Sequence, residues 1–302
     1  LEETLGSRPI LEKDVETIRA ASSQIIVALK PLYPKSPSSL KIDDRELSNG
    51  NRVRIYTPLG VSQGLLPMSI SYHSGGWSSG DLEGEHATCL HIAQKLPIIV
   101  VSANYRLGPE YKAPIALNDA VDALLWAYES ANSFGGDRSK MIAAGGSAGG
   151  NLALAVTLRL LDKNIIAGVA ALVPFTVHPD AVPTKYKANY KSYSESIDTP
   201  IINKRSMEIF QEAYGANPHD ECFSVLLNSR MKEFPPTYLV SCGKDPLRDD
   251  AYLLKYELDS HGVRNKLDYY DGLPHYFWIF PQLSQTSQFL ENLINGFRFI
   301  LQ

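Results

Sequence analysis

Two hydrophobic periods take turns along this chain. Residues 12–30 place Val15, Ile18, Ser22, Ile25 and Leu29 at helical spacing and stop at Pro31, which predicts an amphipathic helix followed by a loop over 31–39. Residues 51–58 alternate as a strand behind the turn signal Ser48-Asn49-Gly50. A second strand over 67–72 runs into His73-Ser74-Gly75-Gly76-Trp77, and a helix is expected over 83–95. The unbroken apolar run at 97–105 has the composition of a strand buried on both faces of a parallel sheet.

The same rhythm continues with a helix over 114–131, a short buried strand over 141–144, a helix over 151–161 and a strand over 165–175. Residues 176–231 break it. They are polar, carry Tyr186, Tyr190 and Tyr193, and hold one clear helix at 203–214, so they are expected as an insertion lying over the sheet. Strand 237–242, helix 249–260, strand 266–270 and a last helix from Ser284, with Phe289, Leu293 and Phe297 on one face, complete the pattern. Strands alternating with helices predict an α/β fold built on a mostly parallel, doubly wound sheet.

Composition narrows the function. The chain has 302 residues, 44% of them hydrophobic, enough for a large core. A net charge of −4 gives no footprint for nucleic acid or an anionic membrane. The longest apolar runs are too short to span a bilayer, so stable membrane insertion is not expected. Three cysteines, Cys89, Cys222 and Cys242, are odd in number and far apart, which suits a reducing, cytoplasmic setting. No His/Cys cluster has zinc spacing, and neither a metal nor a cofactor is expected. No signal peptide is visible; because the chain starts on Leu1 rather than Met, a trimmed targeting segment stays open, as does the oligomeric state.

The densest chemical signal is the turn Gly145-Gly146-Ser147-Ala148-Gly149-Gly150, between a predicted strand and a predicted helix. No frame supplies a dinucleotide fingerprint, and Asn151-Leu152 follows where a P-loop needs Lys and Ser or Thr. Strand, Gly-flanked Ser and helix is instead the setting of G-x-S-x-G, which lifts a serine hydroxyl above the sheet edge. It also aims the Ala148 N–H and the helix N-terminus at a developing oxyanion.

A serine nucleophile needs a base, and the base an orienting carboxylate. Among the histidines after Ser147, His261 ends a helix and suits its dipole, while His178 and His219 fall in the insertion. His275 follows the last strand and is the preferred base. Asp245 leaves the preceding strand and is the preferred acid; Asp249 and Asp250 are alternatives, though a helix start favours them simply as caps. The glycines after His73 would let backbone N–H groups approach a substrate carbonyl, with His73 holding the loop's shape.

With these pieces assembled, the chain resembles the hormone-sensitive-lipase family of α/β-hydrolases, which includes family IV bacterial esterases, arylacetamide deacetylase and plant carboxylesterases. The likeness runs from about Arg52 to the C-terminus. It rests on His73-Ser74-Gly75-Gly76-Trp77, Asn104-Tyr105-Arg106-Leu107-Gly108-Pro109-Glu110, the Ser147 turn, Asp245-Pro246-Leu247-Arg248-Asp249-Asp250 and His275-Tyr276-Phe277. The resemblance implies Ser147 as nucleophile, Asp245 as acid, His275 as base, and Gly75, Gly76 and Ala148 as oxyanion donors. It also implies one domain over residues 1–302, with a mobile cap from about 1–48 and 176–231. Two positions depart from the family pattern: Ser74 replaces the first glycine of His-Gly-Gly-Gly, and Gly146 replaces the Asp of Gly-Asp-Ser-Ala-Gly.

The resulting expectation is a carboxylic-ester hydrolase acting on short-acyl or small-molecule esters through an acyl-enzyme, with Tyr186, Tyr190 and Tyr193 forming aromatic pocket walls. Alternatives on the same fold are an acyl-transfer, cyclisation or elimination enzyme and a non-catalytic small-molecule receptor. The retained His275 speaks against the receptor.

Overall fold

The computed structural model describes residues 8–61 and 64–302. Its centre is an eight-stranded sheet. The strands are β1 (Leu40–Glu46), β2 (Arg52–Pro58), β3 (Leu66–Tyr72), β4 (Ile99–Ala103), β5 (Gly136–Gly146), β6 (Gly168–Leu172), β7 (Thr237–Lys244) and β8 (Asn265–Pro274). Their order in space is β1-β2-β4-β3-β5-β6-β7-β8. The β1–β2 and β2–β4 pairs are antiparallel, and every pair from β4 to β8 is parallel.

The helices are α1 (Val15–Leu29), α2 (His86–Lys95), α3 (Ile115–Ser130), α4 (Ala148–Arg159), α5 (Ser192–Glu195), α6 (Lys204–Tyr214), α7 (Arg248–Ser260) and α8 (Ser284–Leu301). Successive strand residues face opposite sides of the sheet, and the core divides accordingly. Val100, Ile142 and Val240 pack with α2 and α8 through Leu90, Ile92, Phe289 and Phe297. Val101, Ala143 and Leu239 pack on the other face with α3, α4 and α7 through Leu124, Leu152 and Leu254. Central strands covered on both faces must be apolar throughout, which is why 97–105 shows no alternation.

Most predicted elements appear within a few residues of their expected ends. The main difference is β1. Residues 40–46, expected within the N-terminal part of the cap, pair in full register with β2, from Leu40 opposite Pro58 to Glu46 opposite Arg52. The strand Leu-Lys-Ile-Asp-Asp-Arg-Glu has little apolar signal because it is a sheet edge, stitched outwardly by Arg52 and Arg54 to Asp44.

The N-terminal segment and the insertion meet each other. Ile10 bridges Ile201, with Leu11 N–H donating to Ile201 O at 2.8 Å and Ile201 N–H to Pro9 O at 2.6 Å. Asp14 caps α1 by accepting from Thr17 N–H at 2.8 Å. Arg19 on α1 donates to Ser78 O and Gly108 O and forms a two-pronged pair with Glu110. These contacts tie the N-terminal segment to the insertion and α1 to the loops that follow β3 and β4. No helix among the described residues is long and apolar enough to cross a membrane.

Candidate active site

Four of the parallel strands end immediately before a residue singled out from the sequence. β3 ends at Tyr72, before His73; β5 at Gly146, before Ser147; β7 at Lys244, before Asp245; β8 at Pro274, before His275. Parallel strands share one direction, so all four segments emerge on the same edge of the sheet, where ligands bind in open α/β folds.

Ser147 sits at φ 57, ψ −120, a strained conformation for a residue with a side chain. Its N–H donates to Leu172 O at 2.8 Å, anchoring the turn to β6. The flanking glycines are required by close approach. A Cβ on Gly145 would stand 2.3 Å from Gly149 O, and one on Gly149 would stand 2.1 Å from Tyr72 O. The turn then enters α4 directly, leaving the Ala148 N–H at the unpaired start of the helix.

Asp245 is fully buried, and its Oδ2 lies 2.7 Å from His275 Nδ1. Its other oxygen accepts from Leu247 N–H at 2.8 Å, fixing the carboxylate plane. A carboxylate oxygen accepts in this contact, so the ring hydrogen that meets it is on His275 Nδ1, and Nε2 is the ring's other nitrogen, turned away from Asp245. Ser147 and His275 line one cavity with Ser74, Gly75 and Gly76. No hydrogen bond joins Ser147 to His275 in this conformation; in unliganded enzymes such contacts commonly tighten only when substrate binds.

The loop after β3 is held from several sides. Gly75 O accepts from the N–H groups of Ser78 and Ser79 at 3.1 and 2.9 Å and from Ser79 Oγ at 3.0 Å. In a planar trans peptide the Gly76 N–H must therefore point the opposite way, out of that turn. His73 is buried, stacks on Tyr105 at 4.0 Å between ring centres, and donates from Nδ1 to Ser74 O at 2.7 Å. Burial pushes its pKa down to about 4, so the ring is neutral across the physiological range. Its role is to shape the loop, as expected.

The other candidates lie elsewhere. His261 caps α7 and donates from Nδ1 to Glu257 O at 2.8 Å. His178 accepts from Asp180 N–H beside a separate surface groove. Asp249 and Asp250 do not cap their own helix. Asp249 Oδ2 accepts from the N–H groups of Lys191 and Ser192, and Asp250 Oδ1 from those of Thr176 and Val177, so both carboxylates fasten the insertion to α7.

The expected aromatic walls are also displaced. Tyr186 donates to Glu257, Tyr193 to Gln211 at 3.4 Å, and Tyr190 stacks beside Tyr193. The cavity is walled mainly by aliphatic side chains instead, Leu11, Ile25, Ile26, Ile201, Ile202 and Ile279, with Phe210 and Tyr276 as its aromatic members. No Asp, Glu, Lys or Arg lines it among the described residues. The helical periodicity of α1 was the available signal for Ile25. The tyrosines misled because a tyrosine can equally spend its hydroxyl on a buried carboxylate.

Comparison with known proteins agrees with this fold. Residues 69–279 match the profile of a family described as alpha/beta hydrolase fold. The chain is 40% identical over 302 residues to versiconal hemiacetal acetate esterase of Dothistroma septosporum, covering 98% of this chain and 92% of that one. Among solved structures it is similar to vibralactone cyclase, with TM-score 0.88, 31% identity, and coverage of 95% and 89% of the two chains. It is also similar to the metagenomic thermophilic carboxylesterase EstE1, with TM-score 0.85, 28% identity, and coverage of 96% and 98%. The chain therefore belongs to the α/β-hydrolase family of hormone-sensitive-lipase, or family IV esterase, type and is a carboxylesterase-type serine hydrolase.

Proposed function

We propose that the protein hydrolyses short-acyl esters of uncharged, apolar alcohols, with Ser147 as nucleophile, His275 as general base and Asp245 as the carboxylate that orients it. The carrying observation is that Ser147, at its strained turn, and His275, held by Asp245, open into one mainly apolar cavity beside Gly75 and Gly76. His275 Nε2 takes the Ser147 proton as Oγ adds to the ester carbonyl, and the imidazolium is stabilised by Asp245. The N–H groups of Gly75, Gly76 and Ala148 hold the oxyanion, each such donor worth about 3–4 kcal/mol in the transition state. His275 then protonates the leaving alcohol, and water, deprotonated by the same ring, frees the acid. The N-terminal segment and the 176–231 insertion serve as the cap that dries this site.

Two features support the substrate class. A mainly apolar cavity with no Asp, Glu, Lys or Arg among its described walls leaves a charged substrate unpaired, at a steep desolvation cost. The relative from Dothistroma septosporum is named for an acetate ester. An ester panel graded in acyl length and alcohol bulk tests the reading: butyryl esters should exceed oleoyl esters in kcat/KM, and the reverse order contradicts it.

The likeness to vibralactone cyclase favours a second reading, in which an internal hydroxyl rather than water attacks the acyl-enzyme. Turnover in H₂¹⁸O separates the two. Hydrolysis places ¹⁸O in the released carboxylic acid, whereas cyclisation yields a lactone without label.

A further inference from the structure

We propose that Glu85 is a positioning residue for this site, its carboxylate standing in for the one that Gly146 lacks. The inference rests on the reading of Ser147 and His275 given above.

Glu85 precedes α2 and is only 4% exposed. Among the described residues no lysine, arginine or histidine pairs with it. Its Oε1 accepts two hydrogen bonds, from Ser74 N–H at 3.1 Å and from Tyr276 OH at 3.0 Å. Ser74 adjoins Gly75 and Gly76, and Tyr276 directly follows His275 at φ 56, ψ 27, a left-handed conformation in which a bulky side chain is rare. A Cβ on Gly146 would lie 1.9 Å from Tyr276 Oη and 2.5 Å from Cζ, so the tyrosine occupies the space beside the residue that precedes Ser147.

One carboxylate thus joins the loop that offers the oxyanion donors to the residue after the base, and its tyrosine partner fills the volume next to the nucleophile turn. Gly146 and Tyr276 are a matched pair, because any side chain at 146 would evict the ring. A buried carboxylate with no cation is costly to keep, and burial raises its pKa. Its two partners do not cap α2 or close a sheet; both belong to segments of the site. The Ser74 N–H and His73 O belong to one trans peptide and point in opposite directions, so the His73 O that accepts from Tyr105 OH at 2.8 Å turns the Ser74 N–H toward Glu85.

The test compares Glu85→Gln, Glu85→Ala and Tyr276→Phe with wild type for kcat, KM, melting temperature and fluorophosphonate labelling of Ser147. Glutamine keeps an acceptor oxygen for both donors; alanine keeps none. A misplacement near 1 Å at a reacting centre costs about 10²-fold in rate. The expected result is that Glu85→Ala lowers kcat by about 10–100-fold with KM nearly unchanged, whereas Glu85→Gln restores most of it. Tyr276→Phe should lower kcat less, and the Tyr276→Phe/Glu85→Ala double variant should be no slower than Glu85→Ala alone.

If Glu85→Ala fails to fold, Glu85→Gln and Tyr276→Phe decide. Folded Tyr276→Phe with wild-type kcat overturns the proposal, as does a loss in Glu85→Ala that Glu85→Gln does not repair. Ser147→Ala is the control. Wild-type turnover in Ser147→Ala would sink the catalytic reading itself, while an inert Ser147→Ala beside fully active Glu85 and Tyr276 variants would remove this inference alone.

Discussion

Gly76→Ala probes the seam between the loop after β3 and helix α6. An ideal Cβ at Gly76 would stand 2.1, 2.3 and 2.5 Å from Cγ, Cδ1 and Cδ2 of Phe210. Carbon atoms rest at about 3.5–4.0 Å, so the ring must retreat by more than ~1 Å. Phe210 is only 3% exposed and has little room to do so. Gly76 also stands at φ +60, where an L-residue costs about 1–2 kcal/mol. Overpacking adds about 1–3 kcal/mol, for a total destabilisation near 2–5 kcal/mol.

Phe210→Ala alone should cost about 3–5 kcal/mol through its cavity. In the double variant the overpacking part vanishes while the backbone strain stays. The pair should therefore be more stable than the sum of the singles by about 1–3 kcal/mol, measured by urea unfolding of all four proteins. A coupling within about 0.5 kcal/mol of zero would refute the claim that Phe210 seats on this loop. The same cycle read as kcat/KM for a butyryl ester should show Gly76→Ala nearly inactive, because the loop proposed to carry the oxyanion donors must shift with the new methyl.

Arg19→Met should weaken the hold of α1 on the loops at Ser78 and Gly108, lowering the melting temperature and raising KM more than kcat falls; Glu110→Gln, which leaves the two backbone contacts in place, should do much less, and an unchanged KM in Arg19→Met would show that α1 does not help close the cavity. Burial, opposed by the N–H groups of Thr176 and Val177, raises the Asp250 carboxyl to about 8, so the folded chain holds this proton more tightly than the unfolded one. Its stabilising effect is then full below about pH 4 and is lost as pH rises toward 8. Asp250→Asn keeps the acceptor oxygen and should flatten that decline in melting temperature, and parallel wild-type and variant curves between pH 5 and 8 would contradict the assignment. Asp245→Asn should keep the fold and cut turnover by orders of magnitude, about 10⁴-fold in the best-studied triad, which a loss below tenfold would contradict.

How much was legible in the sequence followed from how each signal arises. The parallel core was readable because strands buried on both faces are apolar without interruption, and the positions of Ser147, Asp245 and His275 because each directly follows a parallel strand, though β8 before His275 is a mostly polar edge strand. β1 was hidden because an edge strand of Lys, Asp, Arg and Glu carries no such mark. Tyr186, Tyr190 and Tyr193 were visible as residues but not by their partners, which are the distant Glu257 and Gln211 and the neighbouring ring. Glu85 gave no signal, since a lone acid before a helix reads as a solvated cap. Its meaning appears only when Ser74, Tyr276 and Gly146 are seen together.

The proposed chemistry needs one serine activated by one histidine, and fluorophosphonate labelling followed by peptide mass spectrometry tests both. Wild-type protein should carry the adduct on Ser147, with Ser147→Ala unlabelled and His275→Ala labelled far more slowly. An adduct on another serine, or labelling of His275→Ala at the wild-type rate, would contradict the assembled site.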